Sequence, residues 1–253
     1  MNSLTYVLGY LLSLPGRGLE ASRRIWPTDR RLRALADSPR ARCARQAERE
    51  RIERMVAALE AVEGMEHLLT RISDHCGRPE SFDIHAPGPE GRLALVCRMT
   101  ASAYFATRED ITALLPRIAA AGLAEWGSPN NRTGTPAYAL RWYGADLADD
   151  GWRLDPDGWR MEAPGLSSPG ARLHWDLRDS ATLRPDPYWK RVASSVRSSN
   201  EQTPPDADPA ELLRTARAHG RGLVLQLDVR TDGREACTYY TAKRGGLAGR
   251  GRA

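Results

Sequence analysis

Apolar residues at Ile52, Met55, Val56, Leu59, Val62, Met65, Leu68, Leu69 and Ile72 recur at three- and four-residue steps. That spacing places them on one stripe of a helix, and such a stripe has to be buried against something. The sequence therefore predicts a long helix from about Ala41, closed by the stop signal of Gly77 and Pro79. Residues 1–80 read as a helical region, with Pro27 and Pro39 interrupting an arginine-dense stretch. A core face is the first expectation for the stripe. A homodimer seam through residues 52–72 is the second, although Gly64 and Glu66 interrupt any sustained heptad.

Beyond residue 80 the punctuation changes. Ser81–His85 and Arg92–Arg98 flank a Pro/Gly block and read as two strands, the second short enough to be a helix instead. Thr107–Ala121 reads as a helix capped by Thr107, with Asp110 at capping-box spacing, Gly122 as terminator and Pro116 as a blemish. Leu123–Trp126 and Ala137–Tyr143 read as strands around a polar loop. Trp152–Leu154 and Trp159–Met161 suit a hairpin about Asp-Pro-Asp-Gly, and Arg172–Leu177 suits a further strand. Pro187–Val196 is expected as a short helix, and the polar Ser198–Asp208 as a linker. Pro209–His219 is expected as a helix capped by Asp208, before a final hairpin of Gly222–Arg230 with Glu235–Thr241. The fold class is α+β: a helical N-terminal region followed by mixed α/β structure with several antiparallel hairpins. The expected units are 1–80, 81–145, 146–241 and a disordered Gly/Arg tail at 242–253.

With 253 residues, 41% hydrophobic, the chain has material for a sizeable core and for two domains. Its net charge of +5 comes almost wholly from arginine, since Lys190 and Lys243 are its only lysines. That balance suits polyanions, and the planar guanidinium fits phosphate and guanine edges better than an ammonium does. Abundant Ala, Gly and Pro make the same bias consistent with GC-rich coding. Cys43, Cys76, Cys97 and Cys237 form no CxxC pair, so reduced thiols in a cytoplasmic protein are expected. Leu4–Leu14 is apolar but shorter than the roughly 20 residues that span a bilayer, and no basic residue precedes it. A short core helix is expected there rather than a membrane segment.

One stretch carries a functional expectation. Ala121-Gly122-Leu123 closes a candidate helix. Arg132, Gly134 and Pro136 follow in a turn, and Tyr138-Ala139-Leu140 follows that. The order resembles the winged-helix DNA-binding regulators of bacteria over residues 100–142. The resemblance implies a positioning helix at Thr100–Tyr104 and a recognition helix at Arg108–Ala121, with a wing tip at Asn130–Pro136. It further implies that Arg108, Thr112 and Arg117 face double-stranded DNA, with Asn131, Arg132 and Thr133 on phosphate. Pro116 inside the helix and Phe105 in the turn depart from the pattern, and Glu109 and Asp110 repel phosphate unless they act as caps. The function expected is therefore a DNA-binding protein, a regulator or a replication or maintenance factor of a bacterial genetic element.

Other chemistry has less support. His67, His75, Cys76, His85 and Cys97 lack the close pairs of a zinc site. Asp228 and Glu235 lack the Glu-x-Lys of an acid-acid-Lys nuclease, because Cys237 stands where Lys is needed. No P-loop, dinucleotide fingerprint or Gly-x-Ser-x-Gly occurs. No metal or cofactor is expected. Two alternatives remain: a non-catalytic interaction module using the long helix and the Trp-rich second half, and an unassigned hydrolase or nuclease.

Overall fold

The structure, a computed structural model, describes residues 27–79, 93–127, 132–149, 151–175, 195–208, 223–229 and 238–243, together with Glu211 and Arg214, both helical. Ser81–His85, residues 187–194, most of 209–219 and the tail beyond Lys243 lie outside the described residues, and so do the expectations for them.

Two capped helices open the described chain. Thr28 accepts the N–H of Arg31 and starts α1, Asp29–Ala36. After a two-residue turn, Asp37–Ser38, the Ser38 hydroxyl accepts the N–H of Ala41, and Pro39 occupies the first turn of α2, Pro39–Glu60. Helix α2 buries Ile52, Val56 and Leu59. It does not continue to Ile72. Gly64 adopts φ 87°, a left-handed conformation that glycine tolerates, and the chain reverses into β1, Met65–Gly77. The helical spacing beyond Val62 is thus two periods placed end to end. Ile52, Val56, Leu59 and Ile72 meet in the chain's own core.

One antiparallel sheet organises the rest. Strand β2, Leu93–Thr107, pairs with β1 along nearly its whole length. Its other edge takes two partners in succession: β8, Leu223–Val229, along Ala101–Thr107, and β9, Thr238–Lys243, along Leu93–Arg98. The expected hairpin between those two segments is therefore not how they pair. A 15-residue strand offers more edge hydrogen bonds than either short strand can satisfy alone. Strands β6, Ala171–Trp175, and β5, Leu166–Ser168, extend the sheet beyond β8. At the opposite edge β7, Ser195–Thr203, pairs with β1, giving the order β5-β6-β8-β2-β1-β7 with β9 also on β2. The sheet thus draws strands from all three units expected between residues 1 and 241.

Strand β7 corrects the linker expected at 198–208. Its Ser-Val-Arg-Ser-Ser-Asn-Glu-Gln-Thr sequence has no apolar alternation, and the backbone ladder to β1 carries the pairing. Side chains add to it. The Arg71 Nε donates to Gln202 at 2.9 Å, Ser73 donates to Asn200 at 2.9 Å, and the Arg49 guanidinium meets both Glu201 oxygens at 2.7 Å. Its hydrogen bond to Arg49 pulls the Glu201 carboxyl below its usual range. A polar, charged edge strand also discourages further strand addition.

Helix α3, Ile111–Ala120, buries Ile111, Leu114, Leu115 and Ile118 and ends at Gly122, φ 64°. Asp110, not Thr107, is its cap; the Thr107 hydroxyl instead accepts the N–H of Glu109. Helix α4, Pro136–Gly144, follows, capped by Thr135. Strands β3, Asp146–Leu147, and β4, Arg153–Leu154, form a small separate pair, to which Leu154↔Arg160 adds a bridge around the Asp-Pro-Asp-Gly turn. Helices α2, α3 and α4 pack with Met99, Ala101, Ala103, Phe105, Leu173, Trp175, Leu225 and Leu227 in one core, and α1 covers a second cluster around Leu95 and Cys97.

A buried ionic knot joins these parts. Asp74, on β1, is 2% exposed. Its Oδ2 lies 2.9 Å from Arg45 Nε of α2 and 2.5 Å from Arg197 Nη1 of β7, and its Oδ1 accepts the Tyr239 hydroxyl of β9 at 2.7 Å. Arg45 also donates to the Ala36 carbonyl that ends α1. Burial, and then the neighbouring Asp74, raise the Tyr239 hydroxyl well above the usual phenol range. Next to the knot, Cys76 and Cys97 are joined in a disulfide across β1 and β2, and both are fully buried. The expectation of reduced thiols fails here because the register places these two cysteines directly opposite each other.

Two predictions follow from the knot and the bond. Asp74→Ala leaves Arg45 and Arg197 without their shared anion, and urea unfolding is expected to show a loss of about 3–5 kcal/mol. The double variant Cys76→Ala, Cys97→Ala is expected to lose about 2–4 kcal/mol in the same measurement, with Cys43→Ala unchanged. Equal midpoints for the double variant and the parent exclude a stabilising bond.

Candidate nucleic-acid interface

The residues expected on DNA are carried by different elements, Thr112 and Arg117 by α3 and Arg132 and Thr133 by a 3-10 turn. Thr100–Tyr104, the expected positioning helix, is the middle of β2. Residues 123–126 form no strand, and Ala137–Tyr143 lies in α4, so the two-stranded wing is not formed. Thr135 as cap and Pro136 in the first turn start a helix there, and Ala139 buries on its inner side. Arg108 is exposed at the end of β2. Thr112 directs its N–H and its hydroxyl to the Asp110 carboxylate. Arg117 turns back to the Glu109 carboxylate and to the Glu63 carbonyl at 2.8 Å. That hydrogen bond pulls the Glu109 carboxyl down and the Arg117 guanidinium up. Arg132 and Thr133 lie in a short 3-10 turn, and Asn131 is outside the described residues. The outward positions of α3 are Ala113, Pro116, Ala119 and Ala120, which offer no donors to base edges.

A different surface concentrates positive charge. Arg30, Arg31 and Arg33 are exposed on α1, and Arg40 and Arg42 are exposed in the first turn of α2. The two acids beside them already face other arginines. Asp29 Oδ1 lies 2.7 Å from Arg78 Nη2, and Asp37 Oδ1 lies 3.4 Å from Arg197 Nε. Arg40 and Arg42 also stand at the N-terminal end of a 22-residue helix, where the backbone dipole favours anions. Further along α2, Glu48 pairs with Arg51, and Glu50 and Glu53 offset Arg54, so the excess is confined to the α1–α2 corner. The signal lay in the Arg-dense stretch before Ala41, a region the winged-helix resemblance does not cover.

The sheet face away from the main core carries a polar row. Register places Arg172, Asp228, Ser102, Arg71 and Gln202 side by side across β6, β8, β2, β1 and β7. Ser102 donates to Asp228 Oδ1 at 2.6 Å, and Gln226 Nε2 donates to the same oxygen at 2.9 Å. His174 Nε2 stands 3.9 Å from Asp228 Oδ2. Among the described residues no group of three or more His, Cys, Asp or Glu could hold a metal ion, and no helix is long and apolar enough to cross a membrane. No known family, curated protein or solved structure matches the chain.

At the end of the sheet, Gly64, Met65, Glu66, Ala106, Thr107, Arg108 and Glu109 line a half-open pocket of about 260 Å³. Gly64 is required in two ways. Its φ is left-handed, and an added Cβ would fall against Glu109 Oε1, so that this flexible carboxylate, the partner of Arg117, would have to shift. Gly64→Ala is expected to cost about 1–2 kcal/mol in chemical unfolding through the backbone alone. Pairing it with Glu109→Ala should remove the steric part and keep the backbone part, and a fully additive double-variant cycle would show that the two side chains do not meet.

Proposed function

We propose that this chain binds duplex DNA without catalysis, through the arginine corner of α1 and α2 rather than through a winged helix. The observation that carries this reading is the cluster of five exposed arginines between positions 30 and 42, whose adjacent acids are engaged elsewhere. Guanidinium groups on a helical corner suit phosphates, which carry no sequence information. The reading is therefore a backbone-binding maintenance or architectural factor of a bacterial genetic element, in preference to a sequence-reading regulator. Such a target places the chain in the cytoplasm. A disulfide there is at odds with the usual redox poise, and burial of both cysteines shields it from soluble reductants.

Four phosphate contacts, from Arg30, Arg33, Arg40 and Arg42, give a slope of about −3.5 to −4 for log affinity against log salt concentration. Mobility-shift titrations of random-sequence duplexes at two salt concentrations are expected to show that dependence. The Arg40→Glu, Arg42→Glu variant should bind all duplexes more weakly and with a shallower slope. Arg132→Glu, in the loop first expected to touch phosphate, should behave as the parent. Parent-like binding by the corner variant removes the corner, and weakened binding by Arg132→Glu restores the loop.

A further inference from the structure

Among the described residues, the large apolar side chains that stand exposed are Leu140, Leu147, Trp152 and Trp159, all within one stretch of α4 and the small β3–β4 unit. Trp159 is 73% exposed and Leu147 60%. Both belong to a well-made element. The Asp155 carboxylate accepts the N–H of Asp157 at 3.0 Å and of Trp159 at 2.8 Å, and Gly158 turns the chain at φ 82°. The hairpin holds the indole outward with a fixed backbone, so its exposure is built in. A cluster of exposed apolar side chains with a polar rim is the usual anatomy of a contact surface.

The rim identifies the occupant. Asp146, Asp149, Asp157 and Glu162 are exposed in the same stretch of chain, with Arg141 and Arg160, and Asp157 and Glu162 lie within three residues of Trp159. The cation–ring pairs of the same region show which chemistry its rings accept. The Arg153 guanidinium lies 4.8 Å from the Trp142 ring centre, Arg160 lies 5.1 Å from that of Trp152, and Arg141 lies 5.4 Å from that of Tyr138. Each of these rings already has a guanidinium beside its face, whereas the face of Trp159 is turned to solvent.

We propose that Trp159 and the surrounding carboxylates form a docking site for an arginine-bearing segment of a partner protein. A guanidinium from the partner stacks on the Trp159 indole while neighbouring cations meet Asp157 and Glu162. A nucleic-acid strand stacked on the same indole is disfavoured because its phosphates would meet those carboxylates. The site is separate from the arginine corner and carries the opposite sign of charge, so it does not rest on the DNA reading.

The probe is a fluorescently labelled hexa-arginine peptide, followed by anisotropy against the full chain, with hexa-glutamate as the control. Hexa-arginine is expected to bind, to weaken as salt rises, and to bind Trp159→Ala about three- to fivefold more weakly. Asp157→Asn with Glu162→Gln should weaken it further, and Arg40→Glu with Arg42→Glu should not. Trp159→Ala removes an exposed side chain, and an unchanged unfolding midpoint verifies that it folds. The proposal is overturned if Trp159→Ala binds hexa-arginine as the parent does, or if hexa-glutamate binds equally well. It is also overturned if sedimentation shows self-association of the parent that Trp159→Ala abolishes, since the occupant is then a second copy of this chain.

Discussion

The architecture turns on the burial of one carboxylate. Asp74 sits where the ends of α1 and α2, the edge strand β7 and the last strand β9 converge on β1, and it touches a side chain from three of them. A lone buried anion would be expelled or neutralised. Here Arg45 and Arg197 supply more positive charge than Asp74 requires, and Asp37 takes up part of the excess from Arg197. The Tyr239 hydroxyl has one proton, and it points to Asp74 Oδ1, so its 3.4 Å approach to the Cys76 sulfur is packing rather than a donated bond. The polar knot and the disulfide beside it specify one alignment of five elements that apolar packing alone would leave free to slide.

That constraint explains what was legible in the sequence. The α+β class, the helix at 111–120, the strand after Leu93 and the turn about Asp155–Gly158 follow from local signals: caps, glycines and apolar spacing. The misreadings have a common cause. Strand β7 and the succession of β8 and β9 along one edge of β2 depend on pairing between residues far apart in the chain, which local pattern does not encode. Residues 65–72 look helical because alternating strand positions and a bulge between His67 and Leu69 mimic three- and four-residue steps. Likewise Ala137–Tyr143 alternates like a strand, while Thr135 and Pro136 in front of it favour a helix. Within α3, Arg117 turns to Glu109 eight residues earlier, a pairing that its assignment as an outward residue did not take into account.

The surface divides its charges. Arginines gather on the α1–α2 corner, and carboxylates gather around Trp152 and Trp159 on the β3–β4 unit. The net charge of +5 hides this division, which bears on partners more than the total does. Seven other arginines among the described residues are structural. Arg45, Arg49, Arg71, Arg78, Arg117, Arg153 and Arg197 each bond to a named acid, amide or carbonyl. Arginine abundance is therefore a poor guide to polyanion binding in this chain, and only the exposed cluster with its acids already engaged points to it.

The polar row on the far face of the sheet bears on the hydrolase alternative. A serine nucleophile needs a base that takes its proton, and in this row Ser102 donates to Asp228 rather than to His174. The assignment is fixed by a neighbour. Gln226 must present its NH₂ to Asp228 Oδ1, because the flipped amide would set oxygen against carboxylate. Oδ1 then receives two donors, while the Gln226 Oε1, on a side chain only 3% exposed, is left without a hydrogen bond. The row thus links β2 to β8 through Ser102 and Asp228, and β1 to β7 through Arg71 and Gln202.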